Sequence, residues 1–172
     1  WLAYSSWGAK QEDVFVIRPD GTGRRQLTDD LHKDRGPRWS PDGKRIAFYS
    51  NRGGQYEIWT INADGSGLEQ LTTTPEAVLH PVWSPDGKVL SFQSHRDDDR
   101  STTRFARVTA PGGEAYTIEG IEGAPMWSPD DSLVAFTWTG ENEESDEENK
   151  RRGWIAPDAI SRTLDPDRMD GR

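Results

Sequence analysis

The tryptophans of Trp39-Ser40-Pro41-Asp42-Gly43, Trp83-Ser84-Pro85-Asp86-Gly87 and Trp127-Ser128-Pro129-Asp130-Asp131 stand 44 residues apart both times. A spacing that holds along most of a chain marks a repeat architecture, in which each unit is one supersecondary element. The unit is larger than the motif. Setting residues 2–28 over 46–72 without a gap puts Ala3 on Ala47, Ser6 on Ser50, Gln11 on Gln55 and Ile17 on Ile61. The same register puts Asp20-Gly21 on Asp64-Gly65, Gln26-Leu27-Thr28 on Gln70-Leu71-Thr72, and Pro37 on Pro81.

One unit reads as four strands. Pro81-Val82-Trp83 is the first, and it turns at Pro85-Asp86-Gly87, where proline presets φ and glycine accepts a positive φ. Val89-Leu90-Ser91-Phe92 is the second strand, and in the preceding unit Tyr56–Ile61 is a third, rich in β-branched and aromatic residues. Asp64-Gly65-Ser66-Gly67 turns it into a short fourth strand ending at Leu71-Thr72. Four antiparallel strands per repeat of about 40–50 residues make a β-propeller blade. The chain is therefore expected to be all-β and to comprise about four blades. Blade one, lacking its inner strand, covers 1–28, blade two 36–72, blade three 80–118, and a degenerate blade four 123–164. The recurring tryptophans are expected between adjacent sheets, since large aromatic side chains dominate core energetics. Asp42, Asp86 and Asp130 read as turn residues, because blades splay equivalent positions around a ring and cannot converge them on a metal.

Trp-Ser-Pro-Asp-Gly followed by Ile46-Ala47-Phe48, Ile58-Trp59, Asp64-Gly65-Ser66-Gly67 and Leu71-Thr72 resembles the WD-like blade repeat of TolB-type propellers, over about residues 1–138. The same repeat occurs in the non-catalytic propeller of prolyl oligopeptidase and dipeptidyl peptidase relatives. The TolB resemblance implies a binding or scaffold module with a protein-interaction face, and favours a periplasmic or extracellular setting. The peptidase resemblance implies a propeller that gates substrate entry to a separate α/β-hydrolase domain. A propeller lyase or lactonase with channel-lining metal ligands is the third reading.

Composition narrows the partners. With 30 acidic against 21 basic residues the net charge is −9, and no basic patch suited to phosphates is present, which disfavours nucleic acid. No apolar run approaches the ~20 residues of a membrane-crossing helix. The absence of cysteine removes disulfides and thiol chemistry. There is no Gly-x-Ser-x-Gly elbow, no His-Glu-x-x-His, no phosphate-binding glycine loop and only three histidines. The expectation is a chain with no catalytic activity, cofactor or metal of its own, engaging a protein partner or self-associating, its small-molecule ligand, if any, unspecified.

Starting at Trp1, the chain is expected to be a processed product or an excised piece forming a partial ring, whose open strand edges invite association. The regular Asp-Gly turns share one face, and the remaining, variable loops share the other, where function is disproportionately carried. On that face Trp7 stands where the next unit has Asn51, so it is a candidate interface anchor or a lid over its own loop. His32 lies in the loop 29–35, and His95, Asp97 and Asp98 in a longer loop of the third unit. His80 stands where the earlier unit has Gly36, near the channel mouth, as a structural histidine or a ligand-facing one. The acidic insert 140–150 reads as a solvated loop or as a site for a basic partner or divalent cations.

Overall fold

The computed structural model describes residues 1–7, 11–95, 101–108, 116–129, 134–138 and 154–155. Strands β1 (Leu2–Trp7), β2 (Glu12–Ile17) and β3 (Arg25–Gln26) form a first sheet in that order. A second contains β4 (Asp34–Trp39), β5 (Arg45–Ser50), β6 (Glu57–Asn62) and β7 (Glu69–Gln70), again in sequence order. The third joins β8 (Val78–Trp83), β9 (Val89–His95), β10 (Ser101–Arg107), β11 (Tyr116–Trp127), β12 (Val134–Trp138) and β13 (Trp154–Ile155). All pairings are antiparallel between sequence neighbours, and the described residues contain no helix. The sheets are propeller blades, and among the described residues they form a partial ring that is not closed. The passage from the third repeat unit to the fourth is one strand: β11 pairs with β10 through Tyr116, Thr117 and Glu122, and with β12 through Ile121, Glu122, Met126 and Trp127. No Asp-Gly turn interrupts Ile118-Glu119-Gly120-Ile121, so the backbone stays extended.

The second sheet buries both of its faces, and the strand period of two decides which residue goes where. Ile46 and Phe48 of β5 and Ile61 of β6 point at the first sheet and pack with Val14 and Val16. Ala47 and Ile58 point the other way, into a core with Val78, Trp83, Leu90 and Phe92 of the third sheet. Trp83 takes the inter-sheet position expected of it, 7% exposed, and its Nε1 donates to the Arg38 carbonyl of the second sheet at 3.0 Å. Trp39 is half-buried against the core between the first and second sheets.

The Asp-Gly turns are closed by their own aspartates. Asp42 accepts from the Ser40 hydroxyl at 2.6 Å and the Lys44 N–H at 3.0 Å, and Asp86 accepts from Ser84 at 2.7 Å and Lys88 at 2.9 Å. Asp64 accepts from the Ser66 hydroxyl and N–H, and Asp20 from Thr22 in the same way. The glycine of each Trp-Ser-Pro turn takes the left-handed conformation, with φ 68° at Gly43 and 71° at Gly87.

These hydrogen bonds stabilise the ionised carboxylate. They hold Asp20, Asp42 and Asp64 below the ordinary carboxylate value of 3.8; at Asp86 burial opposes them, yet the net direction is again down. A depressed folded value contributes stability that is present above 3.8 and lost as pH falls through the folded values. Asp13 has the opposite sign: burial, then Asp34, Asp29 and Asp30, push it up, so its contribution is complete below 3.8 and declines as pH rises through its folded value. Urea midpoints measured across this range are expected to fall below pH 3.8, and Asp13→Asn is expected to remove the decline just above it.

Candidate loop-face site

At the ends of the sheets opposite the Asp turns, the strands carry a layer of buried carboxylates. Asp13 of β2 and Glu57 of β6 occupy the same place in successive repeats, and both are buried. Asp13 accepts from the Gln26 side-chain amide at 3.0 Å and from the Thr28 hydroxyl at 3.4 Å, while the Val14 N–H donates to Thr28 Oγ1 at 3.0 Å. Glu57 accepts from the Thr72 hydroxyl at 2.5 Å and the Thr74 N–H at 2.7 Å, while the Ile58 N–H donates to Thr72 Oγ1 at 2.9 Å. The repeated Leu-Thr step is thus a clasp: its threonine ties the end of the fourth strand to the start of the third.

Arginines answer the carboxylates at this end, Arg52 and Arg104 within their own sheets and Arg35 across to the neighbouring one. Arg52 reaches Asp34 at 2.7 Å, Asp30 at 3.0 Å and the Ser50 hydroxyl at 3.0 Å, with its guanidinium 5.0 Å from the Trp59 ring centre. Arg35 of β4 pairs with Glu12 of β2, a bond that raises the guanidinium further above its ordinary value. Arg104 of β10 reaches Glu76 at 2.8 Å, and the Ser94 hydroxyl donates to the same carboxylate at 2.7 Å. Buried charges are tolerated when paired and hydrogen-bonded, and planar guanidinium groups suit several acceptors at once. The result is a hydrogen-bonded and ion-paired layer at the loop ends of the sheets.

The inner strands β4 and β8 each break register once, between Arg35 and Arg38 and between Leu79 and Val82. Gly36 sits at the first break with φ 61°, where a Cβ would lie 2.6 Å from Tyr49 Cε1. His80 sits at the equivalent place with φ 55°, the positive-φ non-glycine among the described residues. Its exposed ring stands edge-on to Tyr49 at 5.6 Å, and Tyr49 stands edge-on to Tyr56 at 5.5 Å. Burial raises the Tyr49 phenol, against the pull of Arg35, so it is a neutral hydrogen-bonding group at ordinary pH. A non-glycine residue in the left-handed region costs about 1–2 kcal/mol, and such outliers concentrate at functional sites.

The family profile for the TolB beta propeller domain matches residues 1–145. This chain belongs to that family. A TolB homologue of Chlorobium luteolum is 44% identical over 43 residues, 25% of this chain and 10% of that protein. Dipeptidyl-peptidase 5 of Porphyromonas gingivalis is 50% identical over 42 residues, 24% of this chain and 6% of that protein. The solved structure of a TolB from Agrobacterium tumefaciens superposes with a TM-score of 0.61 at 28% identity, covering 67% of this chain and 44% of that one. The chain therefore spans less than half the length of each of these relatives.

Within this TolB-type frame, Trp7 ends β1 on the loop face and is 68% exposed; Leu31, in the β3–β4 connection, is 70% exposed. His32 is half-buried, with its backbone N–H on Asp30 at 2.8 Å, and does not join the inner-strand patch of His80. His95 ends β9, paired in register with Ser101. Asp97, Asp98 and the acidic insert 140–150 lie outside the described residues. The carboxylate–arginine layer was not singled out from sequence. Its signal was present in the spacing: an acid at 13 and 57, each followed 15 residues later by threonine at 28 and 72.

Proposed function

We propose that this TolB-type segment is a non-catalytic binding module whose loop face docks a protein partner. The observation that carries the proposal is the exposure of two large apolar side chains, Trp7 and Leu31, on the face that holds the arginine–carboxylate layer. Exposed anchors on a folded support bind without a large ordering cost, which is how a few aromatic and aliphatic residues dominate interface energetics. His80 stands edge-on to Tyr49, and Tyr49 to Tyr56, beside the register break of β8.

A photo-crosslinking amino acid placed at position 7 or 31, and at 68 on the turn face as a control, tests this reading in lysate of the source cells. Adducts to a discrete protein from 7 and 31 but not 68 are expected; equal labelling at all three, or none at 7 and 31, overturns it. The substrate-gating alternative is favoured by the match to dipeptidyl-peptidase 5. It predicts that the parent polypeptide is labelled by a fluorophosphonate at a serine outside these residues.

A further inference from the structure

We infer that the Asp-Gly steps of the turn face are sites of isoaspartate formation that the fold holds closed, and that the bond closing Asp64-Gly65 comes from the Ser66 hydroxyl. In Asp20-Gly21, Asp42-Gly43, Asp64-Gly65 and Asp86-Gly87 the aspartate is exposed every time. An aspartate before glycine is open to attack by its own backbone, because glycine has no Cβ to shield the nitrogen. In that reaction the glycine nitrogen bonds to the aspartate Cγ, and the N–H proton and a carboxyl hydroxyl leave together as water. A second water then opens the succinimide ring. Where it attacks the main-chain carbonyl, the chain runs on through the side-chain carbon, and no oxidant or cofactor enters the balance.

The turns oppose both halves of this chemistry. The nitrogen must give up its proton, and Gly21, Gly43, Gly65 and Gly87 each donate that N–H to a carbonyl, those of Arg18, Ser40, Asn62 and Ser84, at 2.9 Å. The carboxyl must be neutral to release its hydroxyl, and in each turn one carboxylate oxygen accepts both a hydroxyl and a backbone N–H, which favour the ionised form. Asp64 Oδ1 accepts from the Ser66 hydroxyl at 2.6 Å and the Ser66 N–H at 2.9 Å. Asp20 Oδ1 has the same two bonds from Thr22, at 2.8 and 2.9 Å. The direction of the carboxyl shifts agrees, and at Asp64 the Ser66 hydroxyl is the largest cause.

Asp64-Gly65 separates this lock from the shape of the turn. Gly65 and Gly67 supply the positive φ angles there, 92° and 65°, so the backbone path does not depend on the side chain between them. Ser66 is exposed, whereas the Ser40 hydroxyl of the Trp-Ser-Pro turn also accepts from the Arg45 N–H and is part of the strand connection itself. Isomerisation at Asp64 would lengthen the main chain by one carbon and carry the acceptor carboxylate away from Ser66, undoing the turn between β6 and β7. The inference is independent of the loop-face reading, since it concerns the opposite ends of the sheets and stands whether or not Trp7 and Leu31 dock a partner.

The test incubates the folded 172-residue chain at neutral pH and reads isoaspartate site by site in its proteolytic peptides by fragmentation mass spectrometry, with the urea-unfolded chain giving the unprotected rates. The folded chain is expected to isomerise more slowly than the unfolded one at all four steps. Ser66→Ala is expected to raise the rate at Asp64-Gly65 about fivefold, the worth of one net hydrogen bond, with Asp20-Gly21 unchanged in the same molecules. Ser66→Thr, which keeps a hydroxyl as Thr22 does beside Asp20, is expected to stay at the original rate. Equal rates in the folded and unfolded chain overturn the inference, as does a Ser66→Ala rate at Asp64-Gly65 no higher than before. A rise at all four steps together in Ser66→Ala also overturns it, because general unfolding and not a local bond is then what governs the reaction.

Discussion

Arg52→Met is expected to lower stability by about 3–5 kcal/mol, the usual consequence of leaving a buried charge without its partner. Arg52 is the cation that answers Asp34, whose side chain is fully buried, and it also holds Asp30 and Ser50. Asp34 Oδ1 already has no hydrogen-bond partner, so removing the contact to Oδ2 strips the carboxylate of its main compensation. Methionine keeps much of the side-chain length but not the guanidinium that lies over the Phe48 and Trp59 rings, so the loss reports the charge together with these cation–π contacts. Urea titrations followed by tryptophan fluorescence give the number. The companion variant Asp34→Asn in the Arg52→Met background is expected to recover much of it, because removing both members of a buried pair is far milder than removing one. Equal losses in the single and double variants would contradict the assignment.

Phe48→Ala is expected to cost about 3–5 kcal/mol through lost burial and the cavity that remains. Phe48 is fully buried between the first two sheets, among Val14, Val16, Ile46 and Ile61. Its repeat equivalent Tyr4 makes a useful internal control. Tyr4 is half-buried, stacked on Phe15 at 5.6 Å and accepting from Arg24 Nε at 2.9 Å. Tyr4→Ala is expected to cost clearly less, since its face of the first sheet packs against no second sheet among the described residues. The midpoint for Phe48→Ala should fall with the urea slope unchanged, as for a loss of stability without loss of the native fold. Matching costs at positions 4 and 48 would mean that the inter-sheet core is not where the structure puts it.

Much of the fold was legible because its determinants are local. The Asp-Gly and Asp-Gly-Ser-Gly steps carry their own hydrogen-bond acceptor and their own positive-φ residue, so each turn can be read without knowing its surroundings. The apolar run Ile46-Ala47-Phe48-Tyr49 reads as a strand, and the structure packs its two faces into different cores. The candidate site was legible in part. Trp7 and His80 stood out because each departs from its repeat equivalent, and the structure exposes both. Arg52 did not stand out, because an arginine after a strand looks like any solvated charge until its partners are in place.

The sequence by itself determined the repeating unit, its four-strand content and its turns, since these follow from neighbours along the chain. Tertiary structure decided which groups meet across the gaps between sheets. It brought Arg35 of the second sheet to Glu12 of the first, set His80 of one blade against Tyr49 of another, and gave Trp83 a carbonyl that Trp39 lacks. Two tryptophans that share the sequence Trp-Ser-Pro-Asp-Gly-Lys differ in what lies opposite them. Hydrogen bonding and burial are properties of that opposing surface, and a period of 44 residues cannot specify a surface that stands one blade away.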